Sequence, residues 1–272
     1  MADVPALDVL LPRAPLAPVR LEPRDDEAEL VDLLDDTARP DGRRPGARPP
    51  IVVRANMIST LDGAATGPDR VTGSINGPAD LRVFRALRTL ADVVLVGAGT
   101  ARQERYREID LPPQLEATRR VHGRTTPPEL AVVTRAGDVP AELLAADRPP
   151  LVVTGASCPR LGHLRDRLGT GRVLVADDGD GGVDLGLALR MLGALGLTNV
   201  LTEGGPTLLA ELLTGGLVDE LFLTWSPKLV GGPAPRVLDG APWLVPPHDA
   251  TLIHLLHADG VLLGRWGLDG VA

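Results

Sequence analysis

A carboxylate, two glycines and a proline follow one another at Glu203-Gly204-Gly205-Pro206, between a short apolar run and a stretch with helical apolar spacing. Proline suits the first position of a helix, so the pattern predicts a strand-to-helix turn with the helix beginning at Pro206. The start of that helix offers unpaired N–H groups and positive partial charge, which favour a phosphate. An ordinary turn of an α/β protein is the alternative, but a carboxylate at the carboxyl end of a buried strand lies where open sheets bind ligands.

A second glycine-rich turn follows the apolar run Val93–Val96, at Gly97-Ala98-Gly99-Thr100. It lacks the third glycine of a dinucleotide-binding fingerprint, so the motif alone does not predict a Rossmann site. Two glycines nevertheless admit a flat or anionic group, and the Thr100 hydroxyl can donate a hydrogen bond. Because both turns follow strands of one predicted sheet, we expect them to border a shared ligand cleft.

A third turn, Asp62-Gly63, follows the apolar run that begins at Ile51. Asp-Gly is a strong turn dipeptide. We expect the Asp62 carboxylate to accept hydrogen bonds from nearby backbone amides, which is a structural role.

Composition excludes several classes of protein. The net charge of −8 over 272 residues argues against a nucleic-acid partner, because no overall basic field attracts a polyanion. Cys158 is the single cysteine, so neither an intramolecular disulfide nor a cysteine-based zinc site can form, and the histidines lack metal-ligand spacing. No apolar run approaches 18 residues and the N-terminus lacks a signal pattern, so we expect a cytoplasmic protein with no metal and no membrane partner.

The alternation of apolar runs with helical patterns predicts the fold class. Strands are predicted at Ile51–Ala55, Val93–Val96, Leu130–Thr134, Leu151–Thr154, Arg172–Ala176, Asn199–Thr202, Glu220–Trp225 and Val261–Trp266. Helices are predicted at Pro78–Leu90, Pro140–Ala146, Pro159–Leu168, Leu185–Leu195 and Pro206–Thr214. This order is typical of an α/β fold, with a mainly parallel central sheet and helices on both faces. No helix separates the last two strands, which predicts an antiparallel edge.

Residues 1–49 are rich in proline, arginine and aspartate, and we interpret them as an N-terminal extension and linker. Within them, Asp25–Thr37 is predicted as a short amphipathic helix and Arg39–Gly46 as a linker. Residues 50–272 are predicted to form one domain, which this length allows.

In order along residues 50 to 268, several motifs together resemble the reductase domain of riboflavin biosynthesis, the C-terminal half of the bifunctional deaminase/reductase. They are Met57–Gly63, Asn76-Gly77-Pro78 opening a helix that carries Arg88, Val96–Thr100, Thr202–Thr207, Leu217–Leu221 and Pro227–Gly232. The deaminase motifs His-x-Glu and Pro-Cys-x-x-Cys are absent from this sequence, so the resemblance is to a stand-alone reductase.

The resemblance implies a dihydrofolate-reductase-like, three-layer α/β fold and a function. The implied reaction is NADPH-dependent reduction of 5-amino-6-(5-phosphoribosylamino)uracil, with hydride transfer to C1′ of the ring-opened sugar to give the ribityl product. A binding site for such a phosphorylated pyrimidine needs arginine, because the planar guanidinium group can bind two phosphate oxygens. The resemblance also implies a two-fold homodimer, formed near the last two strands.

Site residues follow from the same resemblance. It implies cofactor contacts at Ile58, Ser74, Thr100, Glu104, Gly205, Pro206, Thr207, Leu208, Leu209 and Ala210. It implies substrate contacts at Thr72, Arg88, Arg105, Arg107 and Glu203, with Glu203 and Glu104 as the catalytic carboxylates. Which arginine of the 105–107 loop meets the phosphate stays open, and Glu203 has the structural alternative of capping its turn or pairing with an arginine.

Two other functions remain open on this scaffold. One is an NADPH-dependent reductase of another heterocycle such as dihydrofolate, and the other is a non-catalytic relative. A pterin pocket would need one buried carboxylate and apolar walls, whereas a ribose-phosphate pocket needs arginine. Arg88, Arg105 and Arg107 favour the phosphate.

Overall fold

Eleven strands and eight α-helices are present in a computed structural model that describes residues 4–11, 19–35, 51–240 and 242–268. The strands are β1 (Leu7–Leu11), β2 (Val19–Leu21), β3 (Val52–Thr60), β4 (Val93–Gly97), β5 (Glu129–Val133), β6 (Leu151–Thr154), β7 (Val173–Val175), β8 (Asn199–Thr202), β9 (Glu220–Ser226), β10 (Ala250–Ala258) and β11 (Val261–Leu268). The helices are α1 (Ala28–Asp35), α2 (Pro78–Leu90), α3 (Ala98–Gln103), α4 (Pro113–Val121), α5 (Ala141–Leu144), α6 (Leu161–Leu168), α7 (Leu185–Ala194) and α8 (Pro206–Thr214).

The strands form one sheet in the order β2-β1-β10-β11-β9-β3-β8-β4-β5-β6-β7. From β9 to β7 the neighbouring strands are parallel. Strand β4 is a continuous apolar run because both faces of the sheet are covered there, by α2 and α3 on one side and by α7 and α8 on the other. The predicted α/β class, with a mainly parallel sheet between two layers of helices, is confirmed.

The other half of the sheet is antiparallel. Strand β11 pairs with β9, and β10, β1 and β2 lie beyond it. The predicted antiparallel edge is therefore confirmed, but it is wider than the sequence patterns indicate. The pattern does not predict β10 because its register shifts between Leu252 and His254, which interrupts the alternation of buried and exposed residues.

The N-terminal residues pack on this sheet. Strand β1 pairs with β10, and Leu7 and Leu34 are almost fully buried in the core beneath α2. Arg82 of α2 donates to both Glu27 oxygens at 2.7 and 2.6 Å, and to three backbone carbonyls between residues 5 and 22. The predicted linker at residues 39–46 lies outside the described residues, and the division of the chain at residue 50 stays a prediction.

Proline marks the start of two of the predicted helices. Helices α2 and α8 begin at Pro78 and Pro206, as their sequences predict. Helix α1 lies within the predicted amphipathic segment, whereas α3 and α4 are not predicted, because one contains a glycine and the other has few apolar residues. In the described part of the chain, no helix combines the length and the apolar character that crossing a bilayer requires.

The Asp62-Gly63 turn has the structural role predicted for it. Its carboxylate accepts hydrogen bonds from the backbone N–H groups of Val230 and Gly231 at 3.1 and 2.6 Å, and from the Thr60 hydroxyl. The Thr60 hydroxyl, followed by the Gly231 amide, lowers the pKa of Asp62. The loop after β3 is thereby joined to the loop after β9.

A buried cluster of charges joins three strands of the sheet. Glu220 of β9 accepts hydrogen bonds from Arg54 of β3 at 3.0 Å and from Arg265 of β11 at 2.7 and 3.2 Å. All three side chains are almost fully buried. Burial acts to raise the pKa of Glu220, but Arg265 and Arg54 outweigh it and hold that pKa below its ordinary value. The carboxylate is therefore ionised and holds β3, β9 and β11 together.

We predict that Glu220→Gln lowers the free energy of unfolding at pH 7 by about 3–5 kcal/mol, because two buried guanidinium groups lose their anionic partner. Urea denaturation measures this difference. The folded pKa of Glu220 lies below the ordinary value of 4.5, so its stabilisation is complete above that pH and is lost as pH falls through the folded value. The gap between wild type and variant should shrink on acidification over that window.

Glu22→Gln is the matched control for this experiment. Glu22 pairs with Arg20 at 3.1 Å, but both side chains are more than half exposed. Such a surface pair contributes at most about 1 kcal/mol, so this variant should unfold almost like wild type. Equal stability of Glu220→Gln and wild type would contradict the argument.

Candidate active site

A cavity of about 440 Å³ lies at the carboxyl-terminal side of β3, β4 and β8. Its walls come from β3, from the exposed face of α2, from residues 100–109 after β4, and from the β8–α8 turn. This is the edge of an open α/β sheet at which ligands bind. The polar and aromatic side chains that line it are Asn56, Thr66, Thr72, Asn76, Asp80, Phe84, Arg88, Thr100, Gln103, Glu104, Arg105, Tyr106, Arg107, Glu108 and Glu203.

The two glycine turns lie side by side at this edge. The Gly97 amide donates to the Gly204 carbonyl at 2.8 Å, and the Gly205 amide donates to the Thr100 hydroxyl oxygen at 2.9 Å. Gly204 has a φ of +78°, and a Cβ on Gly205 would lie 2.3 Å from Thr100 Oγ1, so neither position tolerates a side chain without rearrangement. The peptide bond between the two glycines is cis.

Glu203, Arg88 and Tyr106 form a hydrogen-bonded group in the cavity wall. The Arg88 guanidinium donates to both Glu203 oxygens at 2.7 Å, and the Tyr106 hydroxyl donates to one of them. Arg88 also lies over the Phe84 ring, 4.1 Å from its centroid. Glu203 thus pairs with an arginine, which is the structural alternative left open by the sequence, and it faces the cavity as well.

The charge states of this group follow from burial and from the pairing. Burial acts to lower the pKa of Arg88, but the charge of Glu203 outweighs it and leaves that pKa above its ordinary value. Burial is the main cause that raises the pKa of Tyr106 well above its usual range, and the negative charge of Glu203 raises it further. At neutral pH Arg88 is therefore a cation and Tyr106 keeps its hydroxyl proton.

The loop after α3 adds further charge to the cavity. The Glu104 carboxylate accepts a hydrogen bond from the Thr72 amide at 2.8 Å, which fixes it against the turn at residues 72–74. Arg105 and Arg107 line the cavity and are exposed, and within the described residues neither forms an ion pair. A guanidinium group without a carboxylate partner keeps its donors available, and its planar fork matches the geometry of phosphate oxygens.

A second, shallower cavity of about 360 Å³ lies beside the first, over the starts of α3 and α8. It is lined by Gly97, Gly99 and Thr207, and by two arginines that belong to surface ion pairs. Arg102 contacts Asp138 and Arg135 contacts Glu211, each at 2.5 Å. A Cβ on Gly99 would meet no atom within 4 Å, so the backbone there borders open space.

The structure brings most of the predicted site residues to these two cavities. The larger one is lined by Ile58, Thr72, Arg88, Thr100, Glu104, Arg105, Arg107, Glu203, Gly205 and Pro206, and the second by Thr207 and Leu208. Leu209 and Ala210 are buried, so only their backbone is available to a ligand. Ser74 lines neither cavity, and its hydroxyl donates to Asp69 at 2.8 Å. The individual roles of these residues stay predictions.

Sequence reasoning missed several of the lining residues, among them Asp80, Phe84 and Tyr106. Asp80 and Phe84 precede Arg88 on α2 at intervals of four, a spacing that places all three along one face of the helix and was available as a signal. Tyr106, the single tyrosine of the chain, carried no pattern of its own. No group of three histidine, cysteine, aspartate or glutamate side chains in the described ranges is arranged to hold a metal ion.

Comparison with known proteins supports the assignment of the fold and of the family. The chain is 34% identical over 202 residues to the 2,5-diamino-6-ribosylamino-4(3H)-pyrimidinone 5′-phosphate reductase of Methanothermobacter thermautotrophicus, covering 70% of this chain and 83% of that protein. It is 30% identical over 195 residues to the protein of the same name from Archaeoglobus fulgidus, covering 71% and 88%. The structure of a pyrimidine reductase-like protein from Corynebacterium diphtheriae matches with a TM-score of 0.66 and 26% identity, covering 80% and 92%.

The model of the RibD C-terminal domain matches residues 51–260, which include both cavities and all but the first two and the last strands. The resemblance inferred from the sequence motifs is thereby confirmed. The chain is a reductase that belongs to the RibD C-terminal domain family.

Proposed function

We propose that this protein reduces a phosphoribosylaminopyrimidine in riboflavin biosynthesis, with NADPH as the hydride donor. Hydride is added at C1′ of the ring-opened sugar, so that the ribose becomes a ribityl chain. The observation that carries the proposal is one cavity with both a helix start suited to a dinucleotide and a group of arginines suited to a sugar phosphate. The named relatives are reductases of such a compound.

The two glycine turns suit the nicotinamide cofactor of a reductase of this family. Gly99 borders open space, so a ligand can approach the backbone at that turn, and Gly205 of the other turn lines the larger cavity. The first turn of α8 directs its amides and its positive partial charge to the same place, which suits a pyrophosphate. NADPH supplies the hydride when it is bound, and the residues of this chain position it and its acceptor.

The substrate is proposed to bind along α2 and the 105–107 loop. Arg105 and Arg107 have no carboxylate partner among the described residues, so their charge is available to the 5′-phosphate. Arg88 and Tyr106 hold both oxygens of Glu203, which fixes the carboxylate at the cavity wall where it can accept hydrogen bonds from sugar hydroxyls.

The proposed reaction involves neither a membrane nor a nucleic acid. We place the enzyme in the cytoplasm, where a buried free thiol such as Cys158 stays reduced.

The function and the role of Glu203 are tested together by following NADPH oxidation with the phosphoribosylaminopyrimidine and, in parallel, with dihydrofolate. We expect turnover with the phosphorylated pyrimidine and a much lower kcat/KM with dihydrofolate. Glu203→Gln should lower kcat/KM for the pyrimidine by a factor that corresponds to about 1–3 kcal/mol of transition-state stabilisation, because a buried polar group loses its hydrogen-bond partner. NADPH binding should change little.

Glu129→Gln is a suitable control, because Glu129 pairs with Arg172 at 2.6 Å outside both cavities. It should leave the kinetics unchanged. The Glu203→Gln variant could instead have a lower melting temperature and a slightly lower affinity for both NADPH and the pyrimidine, with no selective kinetic defect. In that case Glu203 acts only through its pairing with Arg88. Turnover of dihydrofolate alone would overturn the proposed function.

The second cavity supports the choice of NADPH over NADH, because Arg102 and Arg135 can bind a 2′-phosphate there. We predict tighter binding of NADPH in a titration of nicotinamide fluorescence. Arg135→Gln should reduce this preference about tenfold or more, because one charge-assisted contact to the phosphate is lost. Arg165→Gln, an exposed position on α6, should not. Equal affinity of the wild type for both dinucleotides would count against the assignment.

A homodimer is proposed through one face of the antiparallel half of the sheet. Trp225 of β9, Leu262 and Trp266 of β11 and Leu255 of β10 share this open face and are only half buried. The two tryptophan rings meet edge to face, with centroids 6.1 Å apart. The other face of the same strands is buried beneath α1 and α2. A contiguous apolar face with aromatic side chains is typical of a protein–protein interface.

Light scattering at micromolar concentration should give the mass of two chains. Leu262→Asp places a charge in the centre of the open face and should give a monomer, because a buried unpaired carboxylate is costly. Leu195→Asp is the control, since Leu195 is 52% exposed at the end of α7, away from this face. A monomeric wild type would refute the proposed dimer.

A further inference from the structure

Asp80 is a buried acid in the larger cavity for which the reaction described above has no use. It lies in the first turn of α2 and is 8% exposed. Its hydrogen-bond partner is Thr224 of β9, and no arginine or lysine of the described ranges lies within ion-pair distance. Burial raises the pKa of Asp80 to about 6, so the group is mostly ionised at neutral pH. A buried charge without a cation is costly and is typical of functional sites.

The other carboxylates of this cavity are already engaged. Both oxygens of Glu203 accept hydrogen bonds from Arg88 and Tyr106. Glu104 accepts from the Thr72 amide, and Glu108 accepts from the Asp147 amide and pairs with an arginine. Asp80 is thus the lining carboxylate that, within the described residues, has neither a cation nor a backbone amide as partner.

Asp80 and Arg88 lie at different ends of the cavity wall that α2 forms. Asp80 and Arg88 are eight residues apart on α2, which corresponds to about 12 Å along the helix. Leu81 and Phe84 line the cavity close to Asp80 and give this end an apolar wall. The Asp80 carboxylate repels a substrate phosphate, so the uncharged heterocyclic ring is the part of the substrate that suits this end of the cavity.

We propose that Asp80 binds the N3–H and 2-amino groups of the substrate ring and thereby selects the 2,5-diamino-pyrimidinone form over the uracil form. This inference rests on the proposed function and specifies its substrate. The two adjacent donors match the two oxygens of a carboxylate, as the fork of a guanidinium group does. The uracil form has a carbonyl oxygen at position 2, whose lone pairs face those of the carboxylate. A site that hydrogen-bonds a substrate N–H rejects an analogue that lacks it.

The test compares kcat/KM for the two phosphoribosylaminopyrimidines, which differ only at position 2. Wild type at pH 7.5 should prefer the diamino form by about tenfold or more. Asp80→Asn should shift the ratio toward the uracil form by about tenfold or more, because an amide offers one donor and one acceptor. The variant also removes a buried charge, so we expect it to fold. Asp166→Asn, an exposed carboxylate-to-amide change on α6, should leave the ratio unchanged.

The same ratio measured at several pH values gives an independent check. The protonated carboxyl group also offers one donor and one acceptor, so the wild-type preference should fall as pH decreases through about 6. The other charged groups of the cavity are Arg88, Glu104, Arg105, Arg107, Glu108 and Glu203. Any effect that they have on both substrates equally cancels in the ratio. Asp80→Asn should show no such change.

Binding of the free bases separates this inference from the proposed function. By calorimetry, wild type should bind 2,5,6-triaminopyrimidin-4-one more tightly than 5,6-diaminouracil, and Asp80→Asn should not. If neither phosphoribosylated compound is reduced, the proposed function fails while the base-binding result still decides the role of Asp80. Equal binding of the two bases by wild type, or an unchanged ratio in Asp80→Asn, would overturn the inference.

Discussion

The Arg88–Glu203 ion pair, together with Tyr106, joins three of the segments that form the cavity. Arg88 comes from α2, Glu203 from the β8–α8 turn, and Tyr106, which shares the carboxylate, from the loop after α3. Because both Glu203 oxygens are held, the turn that follows it has a fixed position next to Thr100, whose hydroxyl accepts from the Gly205 amide. The site at the edge of the sheet therefore depends on one buried pairing between charges that are 115 residues apart.

The same balance of charges recurs elsewhere in the molecule. Aromatic residues are few, at 2% of the chain, and buried arginines instead connect elements through carboxylates and carbonyls. Arg54 and Arg265 share Glu220 within the sheet, and Arg82 holds the N-terminal residues through Glu27. These three arginines each contact a carboxylate, whereas the buried Arg119 donates to three backbone carbonyls instead. Each of these buried guanidinium groups therefore has acceptors that offset part of the cost of its desolvation. The Asp80 carboxylate differs from these groups, because no cation of the described residues lies within ion-pair distance of it, and its proposed partner is the substrate.

The wide antiparallel half of the sheet has a further consequence for the site. Strands β10, β1 and β2 extend the sheet beyond β11, so the edge of the sheet is β2 and the apolar surface left to a partner is a face. Helix α2 packs between this extension and the cavity, with Arg82 directed to the N-terminal residues and Arg88 to Glu203. The N-terminal strands thus support the helix that carries the proposed substrate contacts.

The sequence by itself determined the parallel strands, the bounds of α2 and α8, the two glycine turns and the family, because these depend on local signals. Apolar runs, a proline at a helix start and glycines after a strand act within a few residues. Only the tertiary structure decided the partner of Glu203, the role of Tyr106, the isolation of Asp80 and the place of β10, β1 and β2. Each of these depends on which distant residues are brought together in a medium of low dielectric, and no local pattern contains that information.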